Sequence, residues 1–243
     1  MAKFRIDVLL ADKGLAESRE KAKILVMAGV VFLNGERVSQ ADRVVDEQAS
    51  IEVRGNPLLY VGYGGVKLEA ALKTFGIDIA GKTAIDIGAS TGGFVDCLLQ
   101  AGASRVYAID AGTHQLHEKL RKDPRVIVRE NVNARYLTYE DIGESAGIIT
   151  VDVSFISLKK IIPAVLPLLA PGGFLVTLVK PQFEVGRYQV GKGGIVKDEE
   201  RIRAVIDDIT RFGAQIGLRA GGIAEAPREK RRKNKEYFIL WER

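Results

Sequence analysis

Residues 85–94 read IDIGASTGGF, a short apolar run that contains one acid and leads into a loop with three glycines. This combination is typical of the first strand-to-helix turn of a parallel α/β sheet, where the backbone comes close to a ligand. Dinucleotide-binding loops follow the pattern G-x-G-x-x-G, but here Ser90 replaces the middle glycine. Asp86 at the loop entrance would also repel a pyrophosphate. The stretch therefore predicts an α/β fold with a small ligand other than a dinucleotide.

From residue 63 onward, strand-like and helix-like segments alternate, which indicates a mostly parallel, Rossmann-like sheet. The predicted strands are Thr83–Ile87, Val106–Ile109, Val126–Arg129, Ile148–Val151, Phe174–Val179 and Tyr237–Trp241. The predicted helices are Val66–Phe75, Phe94–Gln100, Leu158–Leu169 and Glu199–Gln215.

Ionisable residues lie in or directly after four of these strands, namely Asp86, Asp110, Asp152 and Lys180. Because the carboxyl ends of parallel strands form the ligand crevice of such sheets, we expect these groups to converge on one rim. S-adenosylmethionine suits this rim, since it has no phosphate and carries a sulfonium, an amino group and a carboxylate. Asp110 is placed to accept hydrogen bonds from its ribose. The predicted cofactor-binding set is Asp86, Gly88, Ser90, Thr91, Gly92, Gly93, Phe94, Asp110, Asn131, Val132 and Asp152, and no metal site is predicted.

Methyl transfer to a ribose hydroxyl needs a neighbouring base, because the hydroxyl is a poor acid. A lysine can serve if its pKa falls below the usual ~10.4. Lys180 follows an apolar strand, and Lys67 opens a predicted helix, where the dipole disfavours a cation. Asp152 supplies a countercharge. Glu236 reaches the same rim if the last strand runs antiparallel to its neighbours.

Residues 1–54 differ from the rest of the chain. Ile6, Leu9 and Leu10 have helical spacing, and Ser18 is a predicted N-cap for a second helix. The segment VVFLNGERV then predicts a hairpin, because Asn34-Gly35 suits a type I′ turn. We interpret residues 1–54 as a small α+β domain, residues 55–62 as a linker and residues 63–243 as the α/β domain.

The run RIDVLLADKGLAESREKAKILVMAGVVFLNGERV resembles a small RNA-binding domain first described in a ribosomal small-subunit protein. In that family the second helix and the hairpin contact structured RNA. The resemblance implies RNA contacts by Arg5, Ser18, Arg19, Lys23, Asn34 and Arg37. The net charge of +5 and the basic run REKRRKNK also suggest a polyanionic partner. That run adds the candidates Arg228, Lys230, Arg231, Arg232 and Lys233, although a solvated surface loop explains it equally well.

Over its whole length the chain resembles the TlyA family, also labelled hemolysin A, whose second domain is similar to the FtsJ-like RNA ribose 2′-O-methyltransferases. The segments that carry this resemblance are GGVKLEAAL, DIGASTGGF, VDVSFISL, VKPQFEVG and NKEYFILW. The FtsJ signature is a Lys-Asp-Lys-Glu tetrad, which matches Lys67, Asp152, Lys180 and Glu236. The resemblance implies 2′-O-methylation of cytidine in ribosomal RNA, with Lys180 as the base, Lys67 tuning it, and the two acids holding the lysines.

One segment departs from the family pattern. Gly62-Tyr63 stands where such proteins often carry Ser-Arg. This change could alter how the linker couples RNA docking to binding of the methyl donor.

The composition of the chain bears on its cellular compartment and on membrane insertion. The single cysteine, Cys97, fits a reducing compartment, and no signal peptide is evident at the N-terminus, so we expect a cytoplasmic protein. Residues Ile161–Val179 carry no charge, but prolines and glycines interrupt them, and Pro171-Gly172-Gly173 predicts a turn. No membrane span is therefore expected. Three alternatives stay open: a nicotinamide-dependent oxidoreductase, a membrane-active hemolysin, and an RNA-binding protein with an inactive catalytic domain.

Overall fold

The computed structural model describes residues 3–16, 18–53, 60–185, 191, 194–228 and 234–242 of the 243-residue chain. Most of the predicted linker at 55–62 lies outside the described residues. The RNA-binding candidates Lys230, Arg231, Arg232 and Lys233 also lie outside them.

The N-terminal region is the expected small α+β unit. Its elements are β1 (Lys3–Arg5), α1 (Ile6–Asp12), α2 (Arg19–Ala28), β2 (Val31–Leu33), β3 (Glu36–Arg37), β4 (Val44–Asp46) and β5 (Ile51–Val53). The predicted N-cap is confirmed, because the Ser18 hydroxyl accepts a hydrogen bond from the Lys21 N–H at 3.2 Å. The predicted hairpin is also confirmed. Asn34 and Gly35 have φ of 49° and 84°, and they join the antiparallel strands β2 and β3.

The core of this unit lies between the two helices and the short strands. Ile6 and Leu10 of α1 are completely buried, and they share a cluster with Leu25 of α2 and Val31 of β2. The helical spacing of these apolar residues is therefore what packs α1 against α2.

The second region contains a seven-stranded sheet. Its strands are β6 (Thr83–Ile87), β7 (Arg105–Ile109), β8 (Val126–Arg129), β9 (Ala146–Val151), β10 (Leu169–Val179), β11 (Arg219–Glu225) and β12 (Tyr237–Glu242). Their order is β11-β12-β10-β9-β6-β7-β8. The pairs from β10 through β8 are parallel, and β12 is antiparallel to both of its neighbours. The predicted Rossmann-like sheet is confirmed.

The chain leaves β6 in one direction to form β7 and β8, and then returns to form β9 on the other side of β6. This reversal creates a topological switch point between β6 and β9. In open α/β sheets, ligands bind outside the carboxyl ends of the strands at such a point.

Seven helices accompany this sheet in the described residues. They are α3 (Tyr63–Phe75), α4 (Gly93–Gln100), α5 (Glu118–Arg121), α6 (Tyr139–Ile142), α7 (Ile162–Val165), α8 (Pro181–Glu184) and α9 (Glu199–Gln215). The prediction of one continuous helix at Leu158–Leu169 was wrong. This segment forms two short 3₁₀ turns with α7 between them, because Pro163 and Pro167 lack the N–H that a continuous helix needs.

The turn predicted at Pro171-Gly172-Gly173 lies inside β10 instead. The pairing of β10 with β9 shifts register between Leu169 and Phe174, so the glycines form an irregularity within one long strand. No helix in the described part of the chain is long and apolar enough to cross a membrane. The charge-free Ile161–Val179 folds as the short helix α7, a 3₁₀ turn and then β10.

Candidate active site

The first ion pair of the rim joins the ends of two neighbouring parallel strands. Lys180 follows β10 and Asp152 follows β9, and Lys180 Nζ lies 2.6 Å from Asp152 Oδ1. The Lys180 side chain is only 12% exposed, and that of Asp152 is 21% exposed. Lys180 Nζ also donates a hydrogen bond to Ser154 Oγ at 3.0 Å. Two neighbours on the β9 side therefore fix the position of this amine.

A second ion pair lies at the adjacent strand end. Because β12 is antiparallel to β10, its first residue Tyr237 pairs with Val179, and Glu236 therefore reaches the same rim. Glu236 Oε2 lies 2.6 Å from Lys67 Nζ, which α3 supplies. Both side chains are less than one-fifth exposed. The structure thus places the four predicted catalytic residues as two partly shielded ion pairs at neighbouring strand ends.

Further contacts join the loops that carry Asp152 and Lys180. The rings of Phe155 and Phe183 lie 4.8 Å apart. Glu184 accepts hydrogen bonds from the Ser157 hydroxyl at 2.6 Å and from the Leu158 N–H at 2.9 Å. Burial raises the pKa of Glu184, although these two hydrogen bonds oppose the shift. Together with the Lys180 contacts, they hold segment 152–158 against segment 180–184.

Phe155 is the most exposed large apolar side chain of the site. It is 90% exposed and has φ of 64°, a conformation that is uncommon for a residue with a side chain. It directly follows Ser154, the hydrogen-bond partner of Lys180. An exposed ring at this point provides a face on which a planar group can stack.

Four residues of this region were not predicted from the sequence, namely Ser154, Phe155, Phe183 and Glu184. The signal that could have identified them is their position two to four residues after Asp152 or Lys180.

A cleft of about 480 Å³ opens at the switch point, within the range of small-molecule sites. It is lined by five residues of the predicted cofactor-binding set and by twelve others. The five predicted residues are Gly88, Ser90, Asp110, Val132 and Asp152. The others include Gln115, Asn133, Arg135, Ser154 and Phe155.

The loop after β6 fixes the base of this cleft. Gly88 has φ of 87°, and a Cβ there would lie 2.3 Å from the Asp152 carbonyl oxygen, so only glycine lets the loop pass the end of β9. The Asp110 carboxylate accepts hydrogen bonds from Ser90 N–H and Gly112 N–H, each at 2.7 Å. Each oxygen of a carboxylate has a further acceptor position, so Asp110 is oriented and can still accept from a ligand.

Six predicted cofactor-binding residues do not line the cleft. They are Asp86, Thr91, Gly92, Gly93, Phe94 and Asn131. For Gly93 the reason is packing, since a Cβ there would lie 2.9 Å from the Gly65 nitrogen at the start of α3. Phe94 is buried against Phe238. Gly93 and Phe94 therefore pack the loop and its helix against neighbouring elements, and direct contact of these six residues with a ligand stays a prediction.

Asp86 is completely buried beneath the loop. Its Oδ1 accepts a hydrogen bond from the Thr150 hydroxyl at 2.7 Å, and its Oδ2 has no hydrogen-bond partner among the described residues. Burial raises its pKa to about 7, and the neighbouring charges of Asp152 and Asp110 add to the shift. A cation bound in the cleft would favour the ionised form of this carboxyl group.

The predicted RNA-binding residues that the structure describes have different surroundings. Ser18 and Asn34 have local structural roles, the first as the cap of α2 and the second in the hairpin turn, where its side chain accepts from the Ser50 N–H. Arg5 and Arg19 both bind Asp7. The others are Lys23, which is half-buried, Arg37, which is exposed, and Arg228, which is 3.4 Å from Glu225.

Comparison with known proteins identifies both regions. A sequence model of the FtsJ-like methyltransferase family matches residues 60–243, and one of the S4 domain matches residues 4–51. The chain is 43% identical over 239 residues to the 16S/23S rRNA (cytidine-2′-O)-methyltransferase TlyA of Mycobacterium tuberculosis, covering 98% of this chain and 88% of that protein. It is 46% identical over 197 residues to hemolysin A of Brachyspira hyodysenteriae, covering 81% of this chain and 82% of that protein.

A solved structure from Streptococcus thermophilus, which carries a provisional hemolysin name, superposes with a TM-score of 0.75 at 43% identity. The match covers 99% of this chain and 88% of that one. The chain belongs to the FtsJ-like methyltransferase family and carries an S4 domain at its N-terminal end.

Proposed function

We propose that the protein transfers a methyl group from S-adenosylmethionine to the ribose 2′-hydroxyl of a cytidine in ribosomal RNA. The observation that carries this proposal is the position of Lys180 Nζ. It lies 2.6 Å from Asp152, and Asp152 also lines the cleft in which Asp110 is oriented. A candidate base and a candidate donor site therefore meet at one carboxylate.

The residues of the cleft fit S-adenosylmethionine. Asp110 would accept hydrogen bonds from the ribose hydroxyls, and the unpaired Oδ2 of buried Asp86 would favour the cationic end across the loop. When bound, this donor supplies an electrophilic methyl carbon on a positively charged sulfur. Gly88 keeps the loop close to Asp152, so the donor site and the catalytic carboxylate share one backbone support.

In the proposed reaction, Lys180 in its neutral amine form accepts the proton of the 2′-hydroxyl. The ribose oxygen forms a bond to the methyl carbon as the carbon–sulfur bond breaks, and the Lys180 ammonium then releases its proton to solvent. Asp152 and Ser154 hold the amine in place. Lys67 and Glu236 form the wall beside it, and Phe155 would stack on the base of the target nucleotide.

We assign RNA recognition mainly to the S4 domain. The proposed domain organisation is a small RNA-binding domain at residues 1–54, a linker at 55–62 and a methyltransferase domain at 63–243. The matched relative acts on 16S and 23S rRNA, which supports ribosomal RNA as the substrate class. The S4 match supports RNA binding by the N-terminal domain.

The proposal is tested by mass-spectrometric mapping of ribose methylation in ribosomal RNA from cells with and without the gene. We expect at least one 2′-O-methylcytidine to disappear without the gene and to return when the wild-type gene is restored. Restoring the Lys180→Ala variant should not return it, whereas Lys73→Ala should. Lys73 is the control for losing a lysine that pairs with an acid. It forms an ion pair with Glu69, but its side chain is 74% exposed and it is not one of the four predicted catalytic residues. Identical methylation patterns in the two strains would refute the proposal.

The hemolysin names of two relatives suggest a second activity to measure. Purified protein should cause no dye leakage from phospholipid vesicles at concentrations at which it methylates RNA. Leakage without RNA methylation would favour the membrane-active alternative.

A further inference from the structure

The S4 domain contains a completely buried carboxylate, Asp7. Its Oδ1 accepts hydrogen bonds from Arg5 Nε and from the Val8 N–H, each at 3.0 Å. Its Oδ2 accepts from Arg5 Nη2 at 3.1 Å and from Arg19 Nε at 3.0 Å. A carboxylate has about four acceptor positions, so Asp7 is saturated by these four donors.

The two arginines bound to Asp7 remain open to solvent on their other sides. The Arg5 side chain is 42% exposed and that of Arg19 is 46% exposed. Arg5 uses two of its nitrogens on Asp7 and Arg19 uses one, so each guanidinium keeps N–H donors for another anion. Burial alone would raise the pKa of Asp7, but the hydrogen bonds from Arg5 and Arg19 outweigh it and lower the pKa.

This arrangement brings two like charges together around a single carboxylate. Two guanidiniums and one carboxylate have a formal charge of +1, and both guanidiniums are held by hydrogen bonds, which reduces the side-chain entropy lost when a ligand binds. Planar guanidiniums bind phosphate oxygens in a defined, often bidentate geometry. The fixed pair is therefore suited to a phosphate group of the RNA backbone.

We infer that Asp7 is a positioning residue that holds Arg5 and Arg19 as a preformed clamp for an RNA phosphate. The inference rests on the proposed function, since it assumes that the S4 domain binds the RNA substrate. A clamp and a simple charge effect predict opposite changes in RNA affinity when Asp7 is replaced by a neutral residue. Removing an acid from an RNA-binding surface should tighten binding by electrostatics alone, whereas loss of the clamp should weaken it.

The test compares Asp7→Asn with Glu20→Gln in the full-length protein. Both substitutions remove one negative charge, and Glu20 is an exposed residue next to Arg19 on α2. An asparagine cannot satisfy all four donors, because its amide NH₂ is itself a donor. Kd values are measured with 16S and 23S rRNA transcripts at two salt concentrations, and circular dichroism and S-adenosylhomocysteine binding report on the fold.

We expect Asp7→Asn to weaken RNA binding about tenfold, comparable to losing one oriented charge-assisted contact. Glu20→Gln should leave the Kd unchanged or lower it. If Asp7→Asn unfolds the domain, Arg19→Lys replaces it. This variant keeps the charge but loses the fixed fork, and it should also weaken binding.

The two proposals can fail separately. If the wild-type protein neither binds nor methylates the transcripts, the proposed function fails. If it does both, but the Asp7→Asn variant, or Arg19→Lys in its place, binds RNA as tightly as Glu20→Gln, only the role of Asp7 is overturned.

Discussion

Lys180 Nζ lies 2.6 Å from Asp152 Oδ1, at the carboxyl ends of the neighbouring parallel strands β10 and β9. The backbone of Asp152 also contacts the end of β6 and the loop that follows it. Its N–H donates to the Ile87 carbonyl at 2.9 Å, and its own carbonyl leaves no room for a side chain at Gly88. The candidate base, its carboxylate partner and the floor of the cleft therefore meet at Asp152.

The pairing of Lys67 with Glu236 predicts strong non-additivity. Each single substitution, Lys67→Met or Glu236→Gln, leaves a partly buried charge without its partner, whereas the double variant leaves none. We expect a coupling energy of about 1–2 kcal/mol in the free energy of unfolding, measured by urea denaturation. Additive losses within experimental error would show that the pair contributes no mutual stabilisation.

Asp86 predicts a specific pH dependence of stability. Its pKa in the folded protein is about 7, above the value of about 4 in an unfolded chain, so the folded state holds a proton that the unfolded state has lost between these two values. This group therefore makes the ligand-free protein less stable as pH rises from about 4 to about 7. Asp86→Asn removes the effect, and the melting temperature of the variant should fall less over this range than that of the wild type.

The same substitution also tests the electrostatic role of Asp86 in the cleft. Asp86→Asn should weaken binding of cationic S-adenosylmethionine more than binding of neutral S-adenosylhomocysteine, as measured by calorimetry at about pH 8. Equal losses for the two ligands would mean that Asp86 acts only through the shape of the loop.

Phe155 is expected to act on RNA binding and not on donor binding. Phe155→Ala removes the exposed ring beside Ser154, and stacking of one base is worth about 1–3 kcal/mol. The KM for RNA should therefore rise at least about fivefold, while Phe155→Tyr, which keeps the ring, should behave like the wild type. An unchanged KM in the alanine variant would exclude stacking at this position.

Glu184 is expected to hold segment 152–158 against segment 180–184. In Glu184→Gln the amide oxygen can accept from the Leu158 N–H and the NH₂ group can donate to the Ser157 hydroxyl, so activity should be nearly retained. Glu184→Met leaves both donors without an acceptor, which should cost about 1–3 kcal/mol of stability and lower kcat. Steady-state methylation and urea denaturation measure the two effects. Equal kcat for the glutamine and methionine variants would contradict this role.

Much of the fold could be predicted from local sequence patterns. The bounds predicted for β6, for β8 and for the amphipathic helix Glu199–Gln215 are the same as those in the structure. Strand β11 was missed, because its sequence RAGGIAE lacks apolar alternation and depends on pairing with β12. The broken segment around α7 was predicted as one helix because its apolar pattern outweighed its prolines.

The candidate site was only partly predictable. Lys180 and Asp152 directly follow apolar strands, so the rule for parallel sheets placed them on one rim. Lys67 and Glu236 are 169 residues apart in the sequence. Their contact requires β12 to be antiparallel to β10, and the sequence did not determine the direction of β12. The packing role of Gly93 could not be predicted, since a glycine that approaches a ligand and one that approaches a neighbouring helix look identical in sequence.

The central claim is that Lys180 accepts the proton of the ribose 2′-hydroxyl. It is tested most directly by single-turnover methylation of ribosomal RNA with purified wild-type and Lys180→Ala proteins, both saturated with RNA and with isotopically labelled donor. We predict a loss of about 10²–10⁴-fold in the rate of methyl transfer for the variant, as is typical of a general base, with unchanged binding of S-adenosylhomocysteine. A Lys180→Ala protein that methylates RNA at the wild-type rate would contradict the account.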